Sequence, residues 1–111
     1  MSHKNKSIEV VVGVMRNDNN EIFITRRQID QFMSGYWELP GGKVENKESH
    51  SIAIMRELYE ETGVTVKNHH LIQTIEQQYP QKTINLSVFS IDKLGKVLFK
   101  LSNTIAHTIN I

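Results

Sequence analysis

Apolar positions fall into short-period blocks on either side of one helical block. Ile8 to Met15 (IEVVVGVM) is β-branched and nearly continuous, the pattern of a buried strand. Arg16 to Asn20 is a run of residues that favour turns. Glu21 to Arg26 alternates, with Ile22 and Ile24 on one side and Phe23 and Thr25 on the other. The two runs predict an antiparallel hairpin. Residues 27–34 read as a short irregular or partly helical connection. Tyr36 to Leu39 reads as a short aromatic strand, stopped by Pro40, Gly41 and Gly42. Proline ends regular pairing, and the glycines let the backbone turn and approach a ligand closely. Leu71–Tyr79 and Thr83–Ile91, joined by a turn at Tyr79 to Lys82, predict a second hairpin.

Between the hairpins the period changes. A helix is expected from about Ser49 to Thr62, with Ser49 as N-cap and Gly63 as the left-handed residue that ends it. The order β-β-β-α-β-β describes an α/β chain with mostly antiparallel neighbours. Val97, Phe99 and Leu101 alternate and permit a strand, whereas Asn103 to Ile111 has no cap, helical period or clear turn.

Composition narrows the class. The 111 residues suit one domain with one core. A net charge of +1 without a basic stripe argues against a nucleic-acid polymer or a membrane surface as partner. No cysteine is present, which removes disulfides, zinc thiolates and cysteine nucleophiles and fits a reducing cytosol. No apolar run approaches the ~20 residues of a membrane span, and the polar start lacks the apolar stretch of a signal peptide. A cytoplasmic setting is the expectation.

The candidate chemistry lies in the helix. Glu57, Glu60 and Glu61 share one arc of about 100° at helical spacing. Three carboxylates there repel one another, and they occupy the last turn, where the helix dipole disfavours negative charge. The arrangement opposes stability, so a compensating cation is inferred. Hard oxygen donors suit Mg2+ or Mn2+. A lone ExxEE would more often be a solvated helix end. Here the pattern runs further, through Gly42, Glu48, Arg56, Glu57, Leu58, Glu60, Glu61, Gly63 and Val64. Its seven single-residue requirements would be met at a random start on the order of once in 10⁸. His50, His69 and His70 have no zinc-site spacing and read as surface or loop residues.

That spacing is the Nudix box, with every position filled, and the chain resembles a Nudix hydrolase. The flanks, Arg16 to Arg27 and Trp37 to Lys43, look like the MutT branch of 8-oxo-dGTP diphosphatases. The resemblance covers about residues 8–92. It implies an α/β/α sandwich with a mixed sheet and a metal-dependent enzyme that sanitises the nucleotide pool. Such enzymes direct water at the β-phosphorus of a nucleoside triphosphate, releasing monophosphate and pyrophosphate. It further implies that Glu57, Glu60, Glu61 and the Gly41 carbonyl hold Mg2+ or Mn2+, with Glu57 orienting or deprotonating the water. Arg56 would pair with Glu48 and brace the loop against the helix. Arg27, Phe32, Glu38, Leu39, Pro40, Gly41 and Tyr79 would face the substrate.

The likeness stops after Asp92, dividing the chain into a Nudix domain (1–92) and a divergent or truncated segment (93–111). All 12 acids lie at or before Asp92. The metal-binding loop glutamate, the C-terminal helix and its base-reading asparagine are not recognisable, and neither Asn103 nor Asn110 sits in a context that would assign it that role. A lost or altered helix would uncover a sheet face and favour self-association of an otherwise monomeric protein. It also leaves open a different nucleotide substrate, or an inactive nucleotide- or metal-binding remnant.

Overall fold

The computed structural model describes residues 6–16, 21–26, 37–93 and 105–110. Within them the chain runs β1 (Lys6–Met15), β2 (Glu21–Arg26), β3 (Trp37–Glu38), β4 (Gly41–Lys43), α1 (His50–Thr62), β5 (Val66–Tyr79), β6 (Lys82–Lys93) and β7 (Ile105–Asn110). The architecture is α/β, with one four-stranded sheet ordered β4-β1-β6-β5 and one three-stranded sheet ordered β3-β2-β7.

The first expected hairpin does not form. β1 and β2 lie in different sheets, and among the described residues their backbones pair only at the isolated Arg16–Ile22 bridge. β1 instead pairs in parallel with β6, from Lys6–Lys82 to Met15–Ile91, and antiparallel with β4. The larger sheet is therefore mixed. The reason is burial. Val11 and Met15 are fully covered on one side of β1, while Val10, Val12 and Val14 are half-buried on the other. A strand covered on both faces gains more from a central position than from an edge hairpin.

The glycine pair is also more regular than expected. Gly41 to Lys43 is a strand rather than a turn, paired as Val12–Gly41, Val11–Gly42 and Val10–Lys43. A side chain at Gly41 would place its Cβ 1.9 Å from the Val11 carbonyl oxygen. Glycine is needed there for close approach of two backbones. The second hairpin forms as expected but is longer, with β5 beginning at Val66. In the tail, the described segment is a strand, β7, antiparallel to β2. The region where the resemblance leads one to look for a second helix thus holds a strand in its described part. Val97, Phe99 and Leu101 lie outside the described residues.

α1 packs on the face of the mixed sheet formed by Val11, Gly13, Met15, Phe89 and Ile91. Ser49 caps it, its hydroxyl accepting from the Ile52 N–H at 3.1 Å. Gly63 ends it with φ +75°, donating its N–H to the Tyr59 carbonyl. Ala53, Ile54, Leu58 and Thr62 form the buried stripe at the i, i+1, i+5 and i+9 positions that a 3.6-residue period brings together. Leu58 lies over Gly13, where a Cβ would approach its Cδ1 to 3.0 Å. Burying Leu58 contributes about 2 kcal/mol.

Gly41→Ala tests the close approach of β4 to β1. Because the obstructing atoms are backbone, the loss of stability should reach about 3 kcal/mol, at or above the usual cost of overpacking. Urea unfolding should show it as a lower midpoint at unchanged slope.

Candidate active site

Trp37 to Lys43 crosses from one sheet to the other. β3 pairs with β2 through Thr25–Glu38, and β4 then pairs with β1. Pro40 at the crossing is buried, and its carbonyl accepts from the Gly13 N–H at 2.9 Å. The crossing brings Gly42 under the helix. An ideal Cβ on Gly42 would lie 2.5 Å from the Glu57 carboxylate carbon. The missing side chain is the space that the carboxylate occupies.

Arg56 organises what surrounds that space. Its Nε and Nη2 donate to the two oxygens of Glu48 at 2.6 and 2.9 Å, a bidentate pair. Nη2 also donates to the Lys43 carbonyl at 3.1 Å. Nη1 donates to Glu57 Oε1 at 2.9 Å and to Glu60 Oε1 at 3.1 Å. Glu45 Oε1 lies 3.0 Å from Nε. Glu48 further accepts from the Glu45 N–H at 2.9 Å, which closes the loop between β4 and α1. One guanidinium thus ties strand, loop and helix together.

The electrostatics follow from this geometry. The Arg56 guanidinium, then the Glu45 N–H, hold the Glu48 carboxyl down at about 2. Glu48 in turn raises Arg56 above the ordinary guanidinium range, reinforced by Glu57 and Glu60 and opposed by burial. Four carboxylates share one guanidinium, so negative charge is in excess. The last turn of α1 carries no basic residue to offset it.

The structure brings Arg56, Glu48, Glu57 and Glu60 together, with Glu61 exposed in the same turn of α1. Among the described residues no three acid or imidazole side chains already converge as a cation cage. The donor set nevertheless fits a hard divalent cation. All donors are oxygens, and Glu57 is seated in a recess that only glycine leaves open. Glu60 and Glu61 are exposed and can adjust. Glu38 is exposed and Leu39 half-buried along the crossing. Arg27 and Phe32 lie outside the described residues. Tyr79 is not brought to the glycine pair. It pairs with Lys82 at the hairpin end, six rows along the sheet from Val12–Gly41, or ~20 Å at the rise of a strand.

One polar group escaped sequence reasoning. His50 Nε2 and Glu9 Oε1 are 3.0 Å apart, and Asn85 donates to Glu9 Oε2 at 2.6 Å. His50 is not a free surface histidine. No local signal marks the pair, since its members are 41 positions apart.

Residues 6–103 match the NUDIX domain. The chain belongs to the Nudix hydrolase family. This Nudix chain is 41% identical over 88 residues to the 8-oxo-dGTP diphosphatase of Escherichia coli (strain K12), covering 79% of this chain and 68% of that protein. It is 31% identical over 86 residues to the CTP pyrophosphohydrolase of the same strain, covering 78% and 63%. The crystal structure of the MutT protein from Methanosarcina mazei Go1 superposes with a TM-score of 0.84 at 26% identity, covering 98% of this chain and 80% of that one. No helix among the described residues is long and apolar enough to cross a membrane.

The Glu48–Arg56 pair sets an acid limit to stability. A carboxyl held below its unfolded value contributes stability that is complete above the unfolded pKa and is lost as pH falls through the folded one. Unfolding free energy should therefore drop between about pH 4.5 and about 2. Glu48→Gln should be less stable at neutral pH and flatter across that window, as read by denaturant titrations at stepped pH.

Proposed function

We propose that this chain is a divalent-metal-dependent nucleoside triphosphate pyrophosphohydrolase acting on 8-oxo-dGTP, releasing monophosphate and pyrophosphate. The observation that carries the reading is the seat of Glu57. Its carboxylate lies in the Gly42 recess, held by Arg56 through Oε1, at the centre of an excess of negative charge.

Glu57, Glu60, Glu61 and the Gly41 carbonyl would hold the cation. Bound Mg2+ or Mn2+ neutralises charge on phosphate oxygens and lowers the pKa of its water. The chain's own residues do the positioning. Arg56 fixes the Glu57 carboxylate by one oxygen and leaves Oε2 to orient or deprotonate the attacking water. Glu48, kept ionised, holds Arg56 in place and so fixes the angle at which Glu57 is presented. Gly41 and Gly42 bring a strand backbone against the reacting groups without side chains in the way. Attack at the β-phosphorus breaks its bond to the oxygen shared with the α-phosphorus, so monophosphate leaves and pyrophosphate forms.

For the base, Glu38, Leu39, Pro40 and Gly41 would form the facing edge, and the family resemblance assigns further substrate contacts to Arg27 and Phe32. Pro40 shapes that edge from below, since its ring is buried. Tyr79 sits too far along the sheet to share it. A similar protein named for CTP favours a second reading, a pyrophosphohydrolase with another nucleotide preference.

A panel of 8-oxo-dGTP, dGTP, CTP and ADP-ribose with Mg2+ separates the readings. The first predicts preference for 8-oxo-dGTP over dGTP, with pyrophosphate as product. Equal turnover of the two, or orthophosphate release, would sink it. Glu57→Gln should keep the fold and lose ~10³-fold in kcat, the scale for removing a positioned base and metal ligand.

A further inference from the structure

The active helix is fixed on the sheet at two ends. At its C-terminal half, Arg56 binds the loop and Leu58 lies over Gly13. At its first turn His50 Nε2 meets Glu9 Oε1 on β1 at 3.0 Å, and the Ser51 hydroxyl lies 2.9 Å from His69 Nε2 on β5. Glu9 is itself held from the sheet side. Asn85, its register partner on β6, donates to Oε2 at 2.6 Å and also lies 3.0 Å from the Ser7 hydroxyl. Both carboxylate oxygens are thus committed, one to the sheet and one to the helix. Asn85, then His50, hold the Glu9 carboxyl below its ordinary range against the opposing effect of burial.

The charge has a further role. The first turn of α1 contains no acidic residue to complement the positive end of its dipole. Glu9 supplies that negative charge from the neighbouring strand. The clamp lies beside an open cleft of about 480 Å³ between Lys6–Glu9 and the loop at residues 43–48. Its position along β1 matters. Glu9 and Val11 occupy the same face of the strand, and Val11 is the partner of Gly42, against which Glu57 rests. Slip of the helix by a fraction of its 1.5 Å rise per residue would take Glu57 out of that recess.

We propose that His50 and Glu9 are positioning residues for hydrolysis, clamping the first turn of α1 to β1 so that Glu57 stays seated against Gly42. The inference rests on the proposed function for its kinetic consequence and on the fold for its structural one. Misplacement near 1 Å can cost up to ~10²-fold, so a partial slip should lower kcat about 5- to 10-fold.

The test is a double-mutant cycle on the full chain with His50→Ala, Glu9→Ala and the double variant, together with His50→Gln. Turnover and KM are measured well below each melting temperature, and amide hydrogen exchange is followed along α1. Both alanine variants should lower kcat by that factor with KM within about twofold, and the double variant should fall no further than the worse single one. His50→Gln, which can still donate to Glu9, should recover most of the rate. Exchange in the middle of α1 should quicken in the alanine variants and not in His50→Gln. Unchanged kcat in both alanine variants, or losses that multiply independently, overturns the proposal. If the wild-type chain hydrolyses no nucleotide, the proposed function fails. Exchange then decides the clamp by itself, and unaltered α1 protection in His50→Ala overturns it.

Discussion

The bidentate contact between Arg56 and Glu48 is the constraint on which the site depends. The loop from Val44 to Ser49 has little regular structure of its own. What gives it a shape is a carboxylate that accepts from the Glu45 backbone on one side and from the guanidinium on the other. A lysine could not substitute. Its ammonium is a point charge, whereas the planar fork reaches Glu48, Glu57, Glu60 and the Lys43 carbonyl in fixed directions. The contact is short and half-sheltered, so it is screened less than a surface pair.

Around this contact the backbone supplies the space. Gly41 lets β4 lie against β1 more closely than any side chain would permit, and that sets the height of Gly42 beneath the helix. Gly13 does the equivalent work for Leu58. Two glycines on facing strands therefore determine how near α1 approaches the sheet, and the Glu57 carboxylate fills what remains. The crossing at Leu39 and Pro40 joins the two sheets at this same point, so the backbone against which Glu57 rests continues directly from the segment that links them.

Those features differ in how far they were legible in the chain. The helix was readable because its signals are local. Ser49, Gly63 and the apolar stripe act within a turn of the residues they govern. The box residues were readable through their spacing, and the structure brings Arg56 and Glu48 within bonding distance. The strand pairing was not readable. β1 looked ready to pair with the next strand, but its parallel partner is β6, and Glu9 meets Asn85 across 76 positions. Parallel neighbours leave no turn chemistry to announce them. β4 was hidden for another reason. Gly-Gly-Lys has no strand propensity, and only the pairing with β1 makes it one. β7 has the β-branched composition of a strand, but its register with β2 is a long-range fact.

The carboxylates of the last helical turn show why such a site is costly to fold. Glu60 and Glu61 lie at the negative end of the dipole, in a turn that itself holds no basic residue. Replacing either by a neutral residue should favour the isolated helix by a few tenths of a kcal/mol. Arg56 relieves part of the strain and is already shared among four acids. The remaining imbalance is offset elsewhere, by the Ser49 and Gly63 caps, the Leu58 stripe and the Glu9 charge at the opposite end of the helix. Stability is held by the buried face and the N-terminus, which lets the exposed C-terminal face keep its run of carboxylates.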